Sequence, residues 1–150
     1  MLTIHQRLGL LTLIPLAATV ISSGGATADH HGATGAATTG GNTAGRDLHA
    51  ALGSVAVGMY AATAYYAIRA PKVSEGPSRG GINLHKYLIY IHAPGMVLTP
   101  ILGAVAFNQL NNGKKVHGIA SAHAAVAWTT VLSYSAAMVA VSWPIHLKGL

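Results

Sequence analysis

"LHKYLIYIHAPGMVLTPILGAVAFN", residues 84–108, decides how this chain folds. From Tyr87 to Gly113 there is no Asp, Glu, Lys or Arg. A helix needs only about 20 predominantly apolar residues to cross a bilayer. The stretch also holds two imidazoles. His85 and His92 stand two helical turns apart, on one stripe and about 10 Å from each other along the axis. A chain this poor in polar side chains has placed histidines where they must be satisfied or used.

Three more uncharged runs, 8–28, 48–68 and 116–147, accompany this one. Charged residues make up 8% of the sequence and hydrophobic residues 51%, about a third of the charge of an ordinary soluble domain. A soluble bundle would need charged outer faces, and these segments have none. The expected fold is all-α, an integral-membrane four-helix up-down bundle forming a single transmembrane domain over 1–150. Its helices fall at about 3–22, 47–69, 84–108 and 116–142. Asp47 and Asn83 are expected N-caps, and Pro15, Pro94 and Pro100 are expected bends, tolerated in membranes when neighbours resatisfy the freed carbonyls. Residues 23–46, rich in Gly, Ala and Thr, read as an external low-complexity loop. Met1–Ala28 also has the look of a secretory leader; the expectation is that it is retained as the first helix.

The net charge of +6 is explained by topology. Arg69, Lys72, Arg79 and Lys86 flank the connection between the second and third helices, against Glu75 alone. Arg46, Lys114 and Lys115 lie on the opposite side with Asp29 and Asp47. The positive-inside rule then puts both termini in the cytoplasm, in what is expected to be a bacterial inner membrane. The partner that the charges imply is the lipid bilayer, not nucleic acid. With no cysteine, disulfides, thiolate metal sites, iron–sulfur clusters and covalent haem attachment are excluded. The apolar runs contain no carboxylate for proton or cation transport, and no phosphate loop, catalytic triad or H-E-x-x-H is present.

"HQRLGLLTLIPLAAT" (5–19) and "HAALGSVAVGMYAAT" (49–63) share His, Leu, Gly and the closing Ala-Ala-Thr. The first two helices therefore read as copies of one unit. Each of the four helices has a histidine near its start: His5, His49, His85 with His92, and His117 with His123. In an up-down bundle, helix starts alternate between membrane faces. His5 then gathers with His85 or His92 at one face, and His49 with His117 or His123 at the other.

Two neutral imidazoles facing across a bundle core suit axial ligation of a haem iron. The expected iron ligands are His5 with His85 or His92, and His49 with His117 or His123. Gly9 and Gly53 leave room for a flat macrocycle beside the backbone. Helix N-termini keep imidazoles neutral, and Lys86, Arg79, Arg7, Lys114, Lys115 and Arg46 are available to haem propionates. His30, His31 and His146 read as solvated, and Met59, Met96 and Met138 as filler. The tyrosines at 60, 65, 66, 87 and 90 suit either a quinone site or the interfacial aromatic belt, and the belt is favoured.

These motifs resemble the cytochrome b561 superfamily, the transmembrane di-haem b cytochromes. "KKVHGIASAH" is similar to the basic His-Gly opening of one haem helix and points to His117. "DLHAALG" and "HQRLG" resemble two others and point to His49 and His5. "NLHKYLIYIHAPGMVLTPILGA" resembles the fourth and selects either His85 or His92, so the ligand set the resemblance implies is His5, His49, His92 and His117, with His85 and His123 as alternates. The order of the segments is permuted relative to that family. The resemblance implies two haem b groups, one near each face, in an electron-transfer protein rather than a self-contained enzyme. The implied partners are other redox subunits or cytochromes, with quinone as a further candidate. Two other classes stand beside this one. A pigment-binding or structural subunit needs one His per pigment. A His-dependent metal or proton transporter needs histidines strung through the midplane.

Overall fold

A computed structural model describes residues 1–27, 43–71 and 80–142. Four helices account for nearly all of them: α1 Leu2–Thr27, α2 Thr43–Arg69, α3 Gly80–Asn111 and α4 His123–Ser142, with a 3-10 turn, Gly118–Ala122, leading into the last. All four helical segments are long and apolar enough to span a membrane. Their large apolar side chains face outward without clustering on one stripe. Ile21, Ile68 and Tyr90 are each 80% exposed, as lipid-facing residues are in a helix that is apolar all round. The expected all-α membrane bundle is the observed fold.

The helices pair as two antiparallel hairpins. α1 packs extensively on α2, and α3 on α4, whereas the hairpins touch each other more sparsely. The shared core is small: Leu16, Ala56, Met96, Tyr134, Ala137 and Met138. Buried hydroxyls do not interrupt it, because Thr12, Thr63 and Thr130 each donate to the carbonyl one turn back. In lipid the backbone must satisfy itself, and these side chains do so locally.

That demand also moves the helix ends. α1 runs to Thr27 rather than Ser22, and α2 begins at Thr43, so Asp47 lies inside the helix instead of capping it. α3 begins at Gly80, which places Asn83 inside it as well. Pro15, Pro94 and Pro100 all lie within helices that continue through them. Part of the external loop expected over 23–46 is therefore helical, and residues 28–42 lie outside the described residues, as do Arg79, Trp143 and His146.

The fourth segment departs furthest. Between α3 and the 3-10 turn, Gly113 and Gly118 adopt φ values of 67° and 64°, a left-handed conformation that favours glycine. Gln109 brackets the backbone of His117: its Oε1 accepts from His117 N–H at 3.0 Å, and its Nε2 donates to His117 O at 3.3 Å. His117 is thereby held extended ahead of the helix. The histidine that opens α4 is His123.

Candidate cofactor site

An imidazole has one nitrogen to donate and one to accept when neutral. Four histidines here commit the same nitrogen in the same way. His5 Nδ1 lies 3.0 Å from Thr63 O, and His49 Nδ1 lies 3.0 Å from Thr19 O. His85 Nδ1 is 3.2 Å from Ala137 O, and His123 Nδ1 is 3.0 Å from Thr99 O. A carbonyl can only accept, so each Nδ1 carries a proton, and in the neutral tautomer this selects, Nε2 is the nitrogen with the lone pair. Such bonding fixes the tautomer and orients the ring of a metal-binding histidine.

The acceptors follow a rule. Thr19 stands fourteen residues after His5, Thr63 after His49, Thr99 after His85 and Ala137 after His123. Within each hairpin, the histidine opening one helix rests on the carbonyl at that offset in its partner. The repeat seen in α1 and α2 is thus a reciprocal lock, and α3 and α4 repeat it with less sequence likeness. Fourteen residues of helix span about 21 Å, so each hairpin holds two imidazoles about that far apart.

The hairpins then bring these histidines together in twos. The His5 and His85 ring centroids are 6.2 Å apart with an interplanar angle of 75°, and those of His49 and His123 are 6.1 Å apart at 84°. Two imidazoles bound through Nε2 to opposite sides of one metal, each at about 2 Å, have centroids a little over 6 Å apart. Edge-on aromatic packing allows such a distance as well. The four equivalent Nδ1 locks are what set these rings apart from an ordinary stacked pair.

Among the described residues, no three His, Cys, Asp or Glu side chains come together to hold a metal ion. Two axial nitrogens per site suit a metal whose equatorial ligands come with a macrocycle. A cavity of about 650 Å³ between the hairpins includes His49, His123 and Arg46 in its lining. That volume lies within the ~300–1,000 Å³ range of cofactor pockets. Arg46 Nε is buried there without a hydrogen-bond partner, an arrangement suited to an anionic group entering the cavity. On donor chemistry, spacing, volume and the unpaired guanidinium nitrogen, these residues fit a haem with carboxylate substituents.

The expected site residues are sorted by this geometry. His5 and His49 lie in the pairs, and their partners are His85 and His123, the residues expected as alternates. His92 is 3% exposed, with Nδ1 3.1 Å from Tyr60 OH and Nε2 buried without a partner. Its ring is 6.5 Å from His85, two turns further along α3. His117 is exposed and its backbone is held by Gln109, so the structure does not place it opposite His49. Gly53 lines the cavity. Gly9 serves helix packing instead, since a Cβ there would meet Met138 Sδ at 3.1 Å. Lys86 and Lys114 are exposed near opposite ends of the bundle.

Sequence reading missed Gly103, Tyr60 and Tyr134 as site residues. A Cβ on Gly103 would lie 2.9 Å from His123 Cε1, so glycine is what lets that imidazole seat. Tyr60 and Tyr134 occupy equal distances from His49 and His123 along their helices, a recurrence visible only after the repeat is extended to α4. No protein family, curated protein or solved structure matches this chain.

Proposed function

We propose that the chain is a transmembrane di-haem b-type cytochrome, an electron conduit resembling the cytochrome b561 superfamily in its histidine motifs. The observation that carries this reading is the pair of opposed imidazole sites, each drawing one locked histidine from each hairpin. His5 with His85, and His49 with His123, would hold the two groups through Nε2. A bound haem would supply a one-electron couple at its iron. The Nδ1 bonds fix the orientation of each ring and leave Nε2 free to donate to a metal, and apolar helices surround the sites. Arg46 offers a cation to a carboxylate at the His49/His123 site.

Pairing at matched depth favours this reading over a pigment protein, whose metals need one imidazole each. Concentration of the pairs toward the two ends, with His92 alone between them among the described histidines, disfavours a histidine pathway through the midplane. By the positive-inside rule, Arg69 and Lys86 put the His5/His85 site on the cytoplasmic side. In this reading the chain acts as a subunit or anchor beside other redox proteins.

Electron paramagnetic resonance of the oxidised protein tests the ligation. The reading predicts low-spin ferric signals of high anisotropy, because both imidazole pairs have nearly perpendicular planes. A high-spin spectrum at full haem occupancy would contradict paired histidine ligation.

A further inference from the structure

The four-helix repeat makes the two imidazole pairs equivalent in ligation and unequal in surroundings. Seven and eleven residues after each helix-opening histidine, side chains turn inward between the pairs. Next to His5 and His85, these positions hold Thr12 and His92, with Tyr60 and Tyr134 from the antiparallel helices. Next to His49 and His123 they hold Ala56 and Thr130, with Leu16 and Met96.

The first set is a connected polar cluster. The His92 ring lies 5.7 Å from Tyr60 and 5.2 Å from Tyr134, and Tyr60 lies 5.8 Å from Tyr134. Tyr134 OH is committed to Gly9 O at 2.8 Å, and Tyr60 OH to His92 Nδ1 at 3.1 Å. His92 Nε2 remains, buried and unpaired, in a region where an unsatisfied polar atom is costly. The second set has one hydroxyl, and Thr130 spends it on Val126 O.

We propose that His92, held by Tyr60, is a tuning residue that makes the His5/His85 site the lower-potential member of the two. This rests on the di-haem reading. A haem iron with two neutral imidazoles has one more positive charge when oxidised than when reduced. Polar surroundings favour the charged form and apolar surroundings the other. The His92 cluster therefore favours the oxidised state at His5/His85. At His49/His123 the inward positions Leu16, Ala56 and Met96 are apolar. The cavity lining adds hydroxyls such as Thr99 Oγ1 but no imidazole beyond the pair. With the Arg46 cation, these surroundings favour the reduced state there. One electron passing from the His5/His85 site to the His49/His123 site oxidises the first and reduces the second, with no bond made and no proton required.

The test is a potentiometric titration, followed by visible spectra, of the detergent-purified holoprotein and its Tyr60→Phe and His92→Leu variants. Tyr60→Phe removes the hydroxyl and keeps the ring, so it reports even if His92→Leu folds poorly. Two components are expected in the parent chain. In both variants the lower should rise toward the upper, which stays in place. A His49→Ala chain should retain only the component that moves.

With haem content unchanged, movement of both components together, of the upper alone, or of neither would overturn the inference and leave the di-haem reading standing. Loss of one haem in His92→Leu, with the fold retained, would make His92 a ligand and also overturn it. A parent chain that binds no haem would overturn both.

Discussion

At the scale of single residues, the choice between neighbouring histidines is made by what holds Nδ1. His85 and His123 give that nitrogen to a carbonyl of the partner helix, as His5 and His49 do. His92 gives it to a tyrosine. Replacing any one of His5, His49, His85 or His123 by Ala is expected to remove about half the bound haem, because one of the two proposed sites loses a ligand and the other keeps both. His117→Ala and His92→Leu should keep the full complement. Pigment extraction and a haem count on each purified variant check this.

The sequence made His5 and His49 legible through their shared Leu-Gly and Ala-Ala-Thr. It did not separate His85 from His92 or His123 from His117, because nearby imidazoles on one segment differ only in what the neighbouring helix offers them. Thr99, fourteen residues beyond His85 as Thr19 is beyond His5, was a usable signal. His92 and His117 have Ala106 and Val131 at that offset.

At the scale of helices, the glycines show where two backbones must approach and where a cofactor could lie. A Cβ on Gly103 would sit 2.9 Å from the His123 ring, whereas one on Gly53 would meet Thr19 Cγ2 at an ordinary 3.6 Å. Gly103→Val is therefore expected to displace His123 and to cost about 1–3 kcal/mol in overpacking. It should lose the His49/His123 haem while sparing the other. Gly53→Ala should leave protein stability nearly unchanged. Thermal unfolding in detergent, read beside the haem count, separates these outcomes.

A Cβ on Gly81 would overlap the backbone carbonyl of Ala140. Gly81→Ala should therefore loosen the α3–α4 hairpin and lower its unfolding temperature without touching a ligand. Helix existence was readable from the spacing of charges. Helix ends were not, because cap residues such as Asp47 and Asn83 mark ends in water, whereas in lipid the backbone continues its own ladder through them.

At the scale of the whole molecule, the proposed function rests on two hairpins that each supply one histidine to both pairs. Neither hairpin contains a complete opposed pair, since His5 meets His85 and His49 meets His123 only across their interface. Ligand binding at the two sites is therefore expected to hold the hairpins together. Stripping haem should lower the detergent unfolding temperature, and resupplying it should restore that temperature.

The alternation of histidines between membrane faces followed from an up-down reading of the sequence. The reciprocal Nδ1 locks did not, because they depend on antiparallel register rather than on any one segment. The polar cluster around His92 was equally hidden, since Tyr60 suits the aromatic belt or a quinone site and Tyr134 lies in no motif; helix packing brings both to His92.

The most direct measurement is a dithionite-reduced minus oxidised visible spectrum of the purified chain, expressed with haem available, together with a haem count. The di-haem account predicts sharp low-spin b-type bands and about two haems per chain, one for each histidine pair. A featureless spectrum from chain shown to be folded would contradict it and leave the four locked imidazoles as packing.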